Sequence, residues 1–248
     1  MTCPSGALAK RGCRRLLLRL ATALAVLPAG AAPAWAQAGA DLASELQELG
    51  GGRYRLGSIE IDRTARSFVV PGRVLGHDRP DMPMEFLAGT KGGYKNYESI
   101  VELDTDAIRF NLACLFIGLD PANGRQPATH FDPQPVPGDP VTVHLSWTEG
   151  GEVRRIRAEE ALTQRGQPSD RHEWVYTGSL MNPRGEYLAD VAGTLIGFVH
   201  DVSSVIHHRG GLGVGGYGSV IGNDEVLPPP GSPIVLEIAR PPAAAADD

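Results

Sequence analysis

Two glutamates flank a glycine-containing turn in the stretch MEFLAGTKGGYKNYESI, residues 84–100. The stretch predicts a β-hairpin that closes on the tetrad TKGG, because a strand-like segment lies on each side of it. In that register Glu85 falls opposite Glu98, and directly opposed residues lie about 4.5–5.5 Å apart at Cβ. Two carboxylates at that distance repel each other. A cation, an arginine such as Arg73 or Arg109, or a shared proton would relieve the repulsion.

The chemistry open to this pair depends on what relieves the repulsion. A shared proton would make Glu85 and Glu98 an acid/base pair, and a divalent cation would make them oxygen ligands of a metal site. The alternatives are that both acids are solvated or splayed apart, or that the register differs by one residue. Ser99 follows Glu98 and is a candidate nucleophile, although neither a G-x-S-x-G spacing nor an assigned base accompanies it.

The same turn carries Lys91 and Lys95, the only lysines after residue 36. Two lysines in one turn are typical of a soluble, flexible segment, and the alternative is an anion-binding loop. Tyr97 lies beside them in the sequence. Lys91, Lys95 and Tyr97 are therefore the candidate ligand-binding residues.

A second set of candidates lies further along the chain, where His200, Asp201, His207 and His208 are of the types that bind zinc or another borderline metal. Their spacing matches no recognised ligand pattern, and surface or capping histidines are the default interpretation. The candidate metal ligands are Glu85, Glu98, His200, Asp201 and His207. Weaker candidates are His77, Asp78, His130 and Asp132.

The segment GLGVGG, within residues 207–220, satisfies the dinucleotide-binding pattern G-x-G-x-x-G. That pattern binds a pyrophosphate only where a strand enters the loop and a helix leaves it. Gly218, Gly222 and three consecutive prolines follow, which leaves no room for a helix. The preceding DVSSVIHH is more typical of a short helical turn than of a buried strand. We therefore expect a surface loop, and not a dinucleotide site.

Short alternating segments dominate the rest of the chain, separated by Gly, Pro, Asp and Asn clusters. Residues 141–147, VTVHLSW, show the period of two most clearly, since Val141, Val143, Leu145 and Trp147 fall on one face. This pattern predicts antiparallel sheet. The other strand-like segments are SIEID, SFVVPGRVL, PMEFLA, YESIVEL, EVRRIRA, EWVYTGSLM, AGTLIGFV and PIVLEIA.

One segment, DTDAIRFNLACLFIGLDP, predicts a helix over about residues 104–118, with Asp104 or Thr105 as the N-cap. Gly118 and Pro121 provide its stop. Most of its circumference is apolar, so we expect it to pack on the sheet. The predicted fold class is α+β and β-rich: antiparallel sheets with one principal packed helix. The expected core-facing stripe is Ile108, Leu112, Leu115 and Leu119, widened by Phe110, Ala113, Cys114 and Ile117.

The first 36 residues are typical of an export signal: a basic segment, a short apolar stretch and the small-x-small sequence Ala34-Trp35-Ala36. The apolar stretch is shorter than the roughly 20 residues of a membrane span. We predict a soluble periplasmic or secreted protein after cleavage near Ala36, exported by the general secretory or the twin-arginine route. The predicted organisation is a signal peptide over 1–36, a flexible segment over 37–52, a single domain over 53–240 and a disordered tail over 241–248.

Residues 37–248 carry 18 basic and 29 acidic side chains, a net charge of −11. That balance disfavours a nucleic-acid or anionic-membrane partner, since both require a basic surface. Cys114 is the only cysteine after the predicted cleavage site, which excludes an internal disulfide, an iron–sulfur cluster and a cysteine-ligated zinc site. We expect Cys114 to be a core thiol.

Seven segments follow one another over nearly all of residues 57–240: IEIDRTARSFVVPGRV, MEFLA, YESIVEL, CLFIGLDP, EWVYTGS, YLADVAGTLIGFVHDVSSVI and LPPPGSPIVLEI. In order and character they resemble the YdjY-domain family of exported bacterial proteins. The resemblance implies a fold unit and an export context, and no established reaction. Some members are linked to iron–sulfur or redox systems, a role that does not carry over to a chain with one mature cysteine. The family pattern also places Glu85 and the pair Glu98-Ser99 at characteristic positions.

Two functions from different classes follow from these observations. The first is a non-catalytic binding or accessory module of the cell envelope, which recognises an envelope protein or a small ligand and needs no cofactor. The second is a metal-assisted hydrolase, in which Glu85 and Glu98 are acid/base or metal-ligand groups and His200 or His207 assists. We favour the first, because it requires no reactive constellation.

Overall fold

The computed structural model describes residues 44–76, 84–164, 167–168, 173–212 and 220–241. The strands are interrupted by the helices α1 (Ala107–Phe116) and α2 (Leu188–Ala192) and by 3₁₀ turns at Tyr94–Glu98, Pro121–Asn123 and Ala158–Ala161. The strands are β1 (Leu46–Gly50), β2 (Arg53–Leu56), β3 (Ile59–Asp62), β4 (Ser67–Val74), β5 (Phe86–Thr90), β6 (Ser99–Leu103), β7 (Asp139–Glu149), β8 (Glu152–Arg157), β9 (Leu162–Gln164), β10 (Gln167–Pro168), β11 (Trp174–Tyr176), β12 (Thr194–Gly197), β13 (Ile206–His208), β14 (Val220–Gly222) and β15 (Pro233–Ala239).

Eight of these strands close into a barrel in the order β4, β15, β7, β11, β13, β12, β5 and β6, and β6 pairs again with β4. β12 runs parallel to β13 and β5 runs parallel to β6, whereas the other neighbours are antiparallel. The β-rich character is therefore confirmed. The predicted arrangement of antiparallel sheets is wrong, because the strands form a mixed barrel whose closure joins the two ends of the sheet.

The alternating segments supply the barrel core. In β7 the side chains of Val141, Val143, Leu145 and Trp147 are buried, as the period of two predicts. Leu236 of β15 is fully buried and lies opposite Leu145 on one side and opposite Val70 of β4 on the other. These cross-strand apolar contacts set the register of the longest strands.

Residues 84–100 do not form the predicted hairpin. β5 and β6 run parallel, with Phe86 opposite Ser99 and Ala88 opposite Val101. After β5 the chain turns at Gly92, where φ is +66°, and the 3₁₀ turn Tyr94–Glu98 then leads into β6. All five residues of each strand are buried. Burial on both faces is typical of parallel strands, and the hairpin prediction failed because turn composition does not reveal strand direction.

Helix α1 lies within the predicted range 104–118, so the predicted helix is confirmed. Its N-cap is Asp106, and not Asp104 or Thr105, because the Asp106 carboxylate accepts a hydrogen bond from the Arg109 N–H at 2.8 Å. At the other end Gly118 has a φ of +86°, a conformation that glycine adopts without strain and that ends the helix as predicted.

The core-facing side of α1 differs from the predicted stripe. Ile108 and Leu115, which the prediction turned inward, are 39% and 40% exposed. The Phe110 ring packs edge-on against Phe68 of β4, with ring centroids 5.3 Å apart. Cys114 is fully buried, as expected of a core thiol. The buried residues on α1 and just after it are Ala107, Phe110, Ala113, Cys114, Ile117 and Leu119, of which Leu119 belongs to the predicted stripe.

The remaining strands lie outside the barrel. β1, β2 and β3 continue from β4 as an antiparallel meander, β8 pairs with β7, and β9 joins β10 and β14 in a small second sheet. β1 lies within residues 37–52, the segment that the sequence predicted to be flexible. It pairs with β2, for example with Leu46 opposite Leu56.

The predicted glycine loop lies between two strands. Residues 206–208 form β13, parallel to β12, so the predicted helical turn at DVSSVIHH is wrong. After the loop, residues 220–222 form β14 and not the helix that a dinucleotide site requires. Most of the loop, residues 213–219, lies outside the described residues.

The predicted signal peptide, residues 1–36, and residues 242–248 of the predicted tail also lie outside the described residues. The described residues all fall within one compact unit, Ala40–Asp248. No helix in the described part of the chain has the length and apolar character needed to cross a membrane.

Candidate functional site

The parallel pairing of β5 with β6 brings the two predicted glutamates together, because each immediately precedes its strand. The Glu85 backbone N–H donates to the Glu98 carbonyl oxygen at 3.0 Å. The Glu85 carbonyl oxygen accepts from the N–H groups of Phe198 and Val199, both at 3.1 Å, just after β12. Three strands therefore fix the main chain around Glu85. Glu85 and Glu98 are 2% and 1% exposed.

Lys95 supplies the cation that the buried Glu98 requires. Its Nζ lies 2.5 Å from Glu98 Oε1, and the Lys95 side chain is 23% exposed. The same Nζ lies 5.7 Å from the centroid of the Phe86 ring and 5.8 Å from that of the Tyr97 ring. Burial lowers the pKa of Lys95, but the hydrogen bond and charge of Glu98 outweigh burial and hold that pKa above its ordinary value. Lys95 is therefore a stable ammonium ion.

The Glu85 carboxyl group has no comparable partner. His130 Nε2 lies 3.1 Å from Glu85 Oε2, yet neither Glu85 oxygen accepts a hydrogen bond within the described part of the chain. Burial raises the pKa of Glu85, and the charge of Glu98 raises it further. Asp201 adds a smaller increase, and His130 and Lys95 oppose the shift. Glu85 is thus a buried carboxyl group that is poised to hold a proton.

Neither predicted arginine relieves the repulsion between the two glutamates. Arg73 pairs with Glu102, with Nη2 2.9 Å from Oε1. Arg109 pairs with Glu45 at 2.6 Å and with Asp106. Lys95 instead pairs with Glu98, and burial together with the charge of Glu98 raises the pKa of Glu85.

His130 reaches Glu85 because a long loop is fixed beside the end of β12. The Phe131 N–H donates to the His200 carbonyl oxygen at 3.0 Å, one residue after Val199, which contacts Glu85. The His130 ring stacks on Phe131 with centroids 4.0 Å apart, and the His130 side chain is 41% exposed. The sequence ranked His130 among the weakest candidates, since nothing in the local pattern links it to Glu85.

We call this group the Glu85 cluster. It comprises Glu85, Lys95, Glu98, His130 and Asp201, and it combines an interior carboxyl pair with partly exposed basic side chains. The Asp201 carboxylate accepts from the Ser203 N–H at 2.8 Å and from the Ser203 hydroxyl. Its negative charge acts on Glu85 from the β12–β13 side.

The other candidates on the 84–100 segment lie around the cluster with different surroundings. The Ser99 hydroxyl is fully buried and donates to the Lys95 carbonyl oxygen at 2.9 Å, so it is not presented to solvent as a nucleophile. Tyr97 is 44% exposed at the outer side of Lys95. Lys91 instead pairs with Asp104, at 2.5 Å, in a separate surface cavity of about 510 Å³. The two lysines therefore do not form one anion site.

The predicted metal-ligating histidines are used within the fold. His200 Nδ1 lies 2.6 Å from the Asp132 carbonyl oxygen and Nε2 lies 3.0 Å from that of His208. His207 Nε2 lies 2.9 Å from Gln126 Oε1, and burial lowers the pKa of His207 to about 3. Both side chains are fully buried. Among the described residues, no three His, Cys, Asp or Glu side chains are placed to hold a metal ion together.

Comparison with known proteins places this architecture in a family. Residues 59–239 match the model of the YdjY domain. No curated protein and no solved structure matches the chain. The matched range runs from the first residue of β3 to the last residue of β15, and it contains the whole barrel and the Glu85 cluster. The chain therefore belongs to the YdjY domain family.

Proposed function

We propose that the protein is an exported, non-catalytic binding module of the cell envelope, and that the Glu85 cluster is its ligand site. One observation carries the proposal: Glu85 is 2% exposed, and neither carboxyl oxygen accepts a hydrogen bond from the described residues. A buried polar group without a partner destabilises the fold by about 1–3 kcal/mol. Folds retain such costs mainly at functional sites, where a ligand supplies the missing partner.

The surroundings of Glu85 support a site that opens outward. The two buried carboxyl groups lie beneath side chains that are partly accessible, namely Lys95, Tyr97 and His130. A small ligand that displaces the His130 ring would reach Glu85 Oε2. The acidic character of the mature chain opposes a nucleic-acid partner, so the proposed partners are a small ligand or an envelope protein.

The contact between His130 and Glu85 favours a second candidate, a hydrolase. A histidine whose ring nitrogen faces a buried carboxylate is the arrangement that orients a general base. In this alternative the Glu85–His130 pair moves the proton, and a divalent metal at Glu85 and Glu98 remains a prediction. The binding module ranks first, because His200 and His207, the histidines expected to assist a hydrolase, are fully buried and hydrogen-bonded within the fold.

Native mass spectrometry tests the proposal on protein purified from the periplasm without chelating resin, alongside elemental analysis of the same sample. We expect a small molecule bound to the wild type, lost from Glu85→Gln and retained by Glu102→Gln. Glu102 is a matched control, since it is 9% exposed but pairs with Arg73 outside the cluster. A ligand-free wild type, or equal retention by a folded Glu85→Gln variant, would contradict the proposal. Stoichiometric metal lost on Glu85→Gln would favour the hydrolase instead.

A further inference from the structure

The charges of the Glu85 cluster are unbalanced. The charges of Glu98 and Asp201 both act on the Glu85 carboxyl group, and Lys95 is the one lysine or arginine that pairs with these acids among the described residues. That lysine is committed to Glu98 at 2.5 Å. The buried Glu85 carboxyl therefore has no lysine or arginine of its own, and an anionic ligand would worsen the imbalance.

The position of Lys95 shows which chemistry these surroundings stabilise. Its ammonium group lies between the Glu98 carboxylate and two aromatic rings, with Phe86 and Tyr97 at 5.7 and 5.8 Å from Nζ. Attraction between a cation and the face of an aromatic ring adds to the ion pair when the cation is partly desolvated. The cluster thus already holds one organic cation, contributed by its own chain.

When Glu85 is ionised, the hydrogen-bonding capacity that is left at its carboxylate is that of an acceptor. Both carboxyl oxygens are buried, and neither accepts a hydrogen bond within the described part of the chain. Two adjacent carboxylate oxygens match the parallel N–H donors of a guanidinium group and also bind the N–H groups of a primary ammonium. A ligand without N–H or O–H donors would leave both oxygens unsatisfied.

We propose that the Glu85 cluster binds an organic cation with N–H donors, a primary ammonium or a guanidinium compound, and that this cation pairs with the Glu85 carboxylate. The inference rests on the proposed binding function and names its ligand class. His130 marks the entry, because its side chain is 41% exposed while Nε2 lies 3.1 Å from the buried Glu85 Oε2. The ligand N–H groups replace this imidazole contact when the ring turns outward.

Isothermal titration calorimetry of the mature protein with agmatine, which carries both cationic groups, tests the inference. We expect saturable binding to the wild type, at least tenfold weaker binding to Glu85→Gln and unchanged binding to Glu102→Gln. Tetramethylammonium is the matched probe, since it carries the charge without N–H donors, and it should bind at least tenfold more weakly than agmatine. Binding of agmatine should also release protons, seen as a heat that varies with the ionisation enthalpy of the buffer.

Several results would overturn the inference: no agmatine binding to a folded wild type, equal affinity of Glu85→Gln, or equal affinity for tetramethylammonium. Tighter Glu85-dependent binding of calcium, magnesium or zinc chloride would assign the carboxyl groups to a metal. Native mass spectrometry of the protein purified from the periplasm distinguishes a failure of this inference from a failure of the proposed binding function. A neutral or anionic molecule that co-purifies with the wild type and is lost from Glu85→Gln would retain the binding function and reject the cationic class.

Discussion

The Glu85 backbone N–H donates to the Glu98 carbonyl oxygen at 3.0 Å, which fixes the two acidic residues side by side at the start of a parallel strand pair. The pairing of the two strands therefore holds the main chain of Glu85 beside that of Glu98. Lys95 neutralises Glu98, while burial and the charge of Glu98 raise the pKa of Glu85. The pair is therefore asymmetric. Glu98 is neutralised by an ion pair, whereas the charged form of Glu85 is destabilised by burial.

Replacing Glu85 by glutamine should stabilise the protein at neutral and higher pH. The folded-state pKa of Glu85 lies above its ordinary value of 4.5, so between these two values the folded protein binds more protons than the unfolded chain. The stability of the wild type therefore falls as pH rises toward and through the folded pKa, and the glutamine variant lacks this loss. We expect a gain of about 1–3 kcal/mol in the free energy of unfolding at pH 8.

Urea unfolding of both proteins at a series of pH values checks this prediction. The advantage of Glu85→Gln should shrink as pH falls and disappear below the ordinary pKa of 4.5, where Glu85 is protonated in both states. A variant that is less stable than the wild type at pH 8, or an advantage independent of pH, would show that the Glu85 charge is not strained in the fold.

Replacing Lys95 by methionine should destabilise the protein, because it leaves the Glu98 carboxylate buried without its cation. Loss of one partner of a buried ion pair costs about 3–5 kcal/mol, and we expect about 2 kcal/mol here because the Lys95 side chain is 23% exposed. Adding Glu98→Gln to the variant should recover most of the lost free energy of unfolding, as measured by chemical denaturation.

Lys91→Met is the matched control for the Lys95→Met variant. Lys91 pairs with Asp104 at the same distance of 2.5 Å, but the two side chains are 70% and 46% exposed. Solvent screens such a pair, so the free energy of unfolding of the variant should equal that of the wild type. Equal destabilisation by the two lysine substitutions would indicate that burial does not strengthen the Lys95–Glu98 pair.

Cys114 should be inert in the folded protein. Its side chain is fully buried on α1, and burial raises the pKa of the thiol well above its ordinary value of 9.0. A thiol reagent such as 5,5′-dithiobis(2-nitrobenzoic acid) should therefore react with Cys114 only after denaturation. In a Cys114→Ala background, Leu115→Cys on the same helix should react at once, since position 115 is 40% exposed. Rapid labelling of native Cys114 would contradict its placement in the core.

Periodicity was enough to locate the longer strands and α1, but it missed β1 and β13 and did not decide how the strands pair. The segment VTVHLSW carries its burial pattern in its own sequence, whereas the parallel pairing of β12 with β13 depends on the whole barrel. In α1 nearly every position is apolar, so local sequence does not distinguish the buried Phe110 from the exposed Leu115. Packing against the neighbouring strands decides which side chains of α1 are buried.

In the candidate site, too, the sequence indicated residues within one segment but not the contacts between distant segments. The sequence placed Glu85 beside Glu98 by way of a hairpin, and the structure brings them together through a parallel pair instead. Lys95 was within the same segment and visible as a cation. His130 was not linked to Glu85, because its approach depends on the hydrogen bond from Phe131 to the residue that follows Val199. No spacing rule in the sequence reports that contact.

His207 should make the protein sensitive to mild acid. Burial lowers the pKa of His207 to about 3, and the charge of His200 lowers it further, whereas an unfolded histidine has a pKa of 6.5. Between these values the unfolded chain binds one more proton than the folded protein. The stability that this group contributes is therefore complete above pH 6.5, and the free energy of unfolding falls as pH falls, by about 1.4 kcal/mol per pH unit.

His207→Gln provides the test, since glutamine retains an N–H donor toward Gln126 Oε1 and does not titrate. The free energy of unfolding of this variant, measured by urea titration from pH 7 to pH 4, should decline less steeply than that of the wild type, even if the variant is less stable at pH 7. Parallel profiles would mean that His207 takes up its proton in the folded state, and that the buried imidazole is not the source of acid sensitivity.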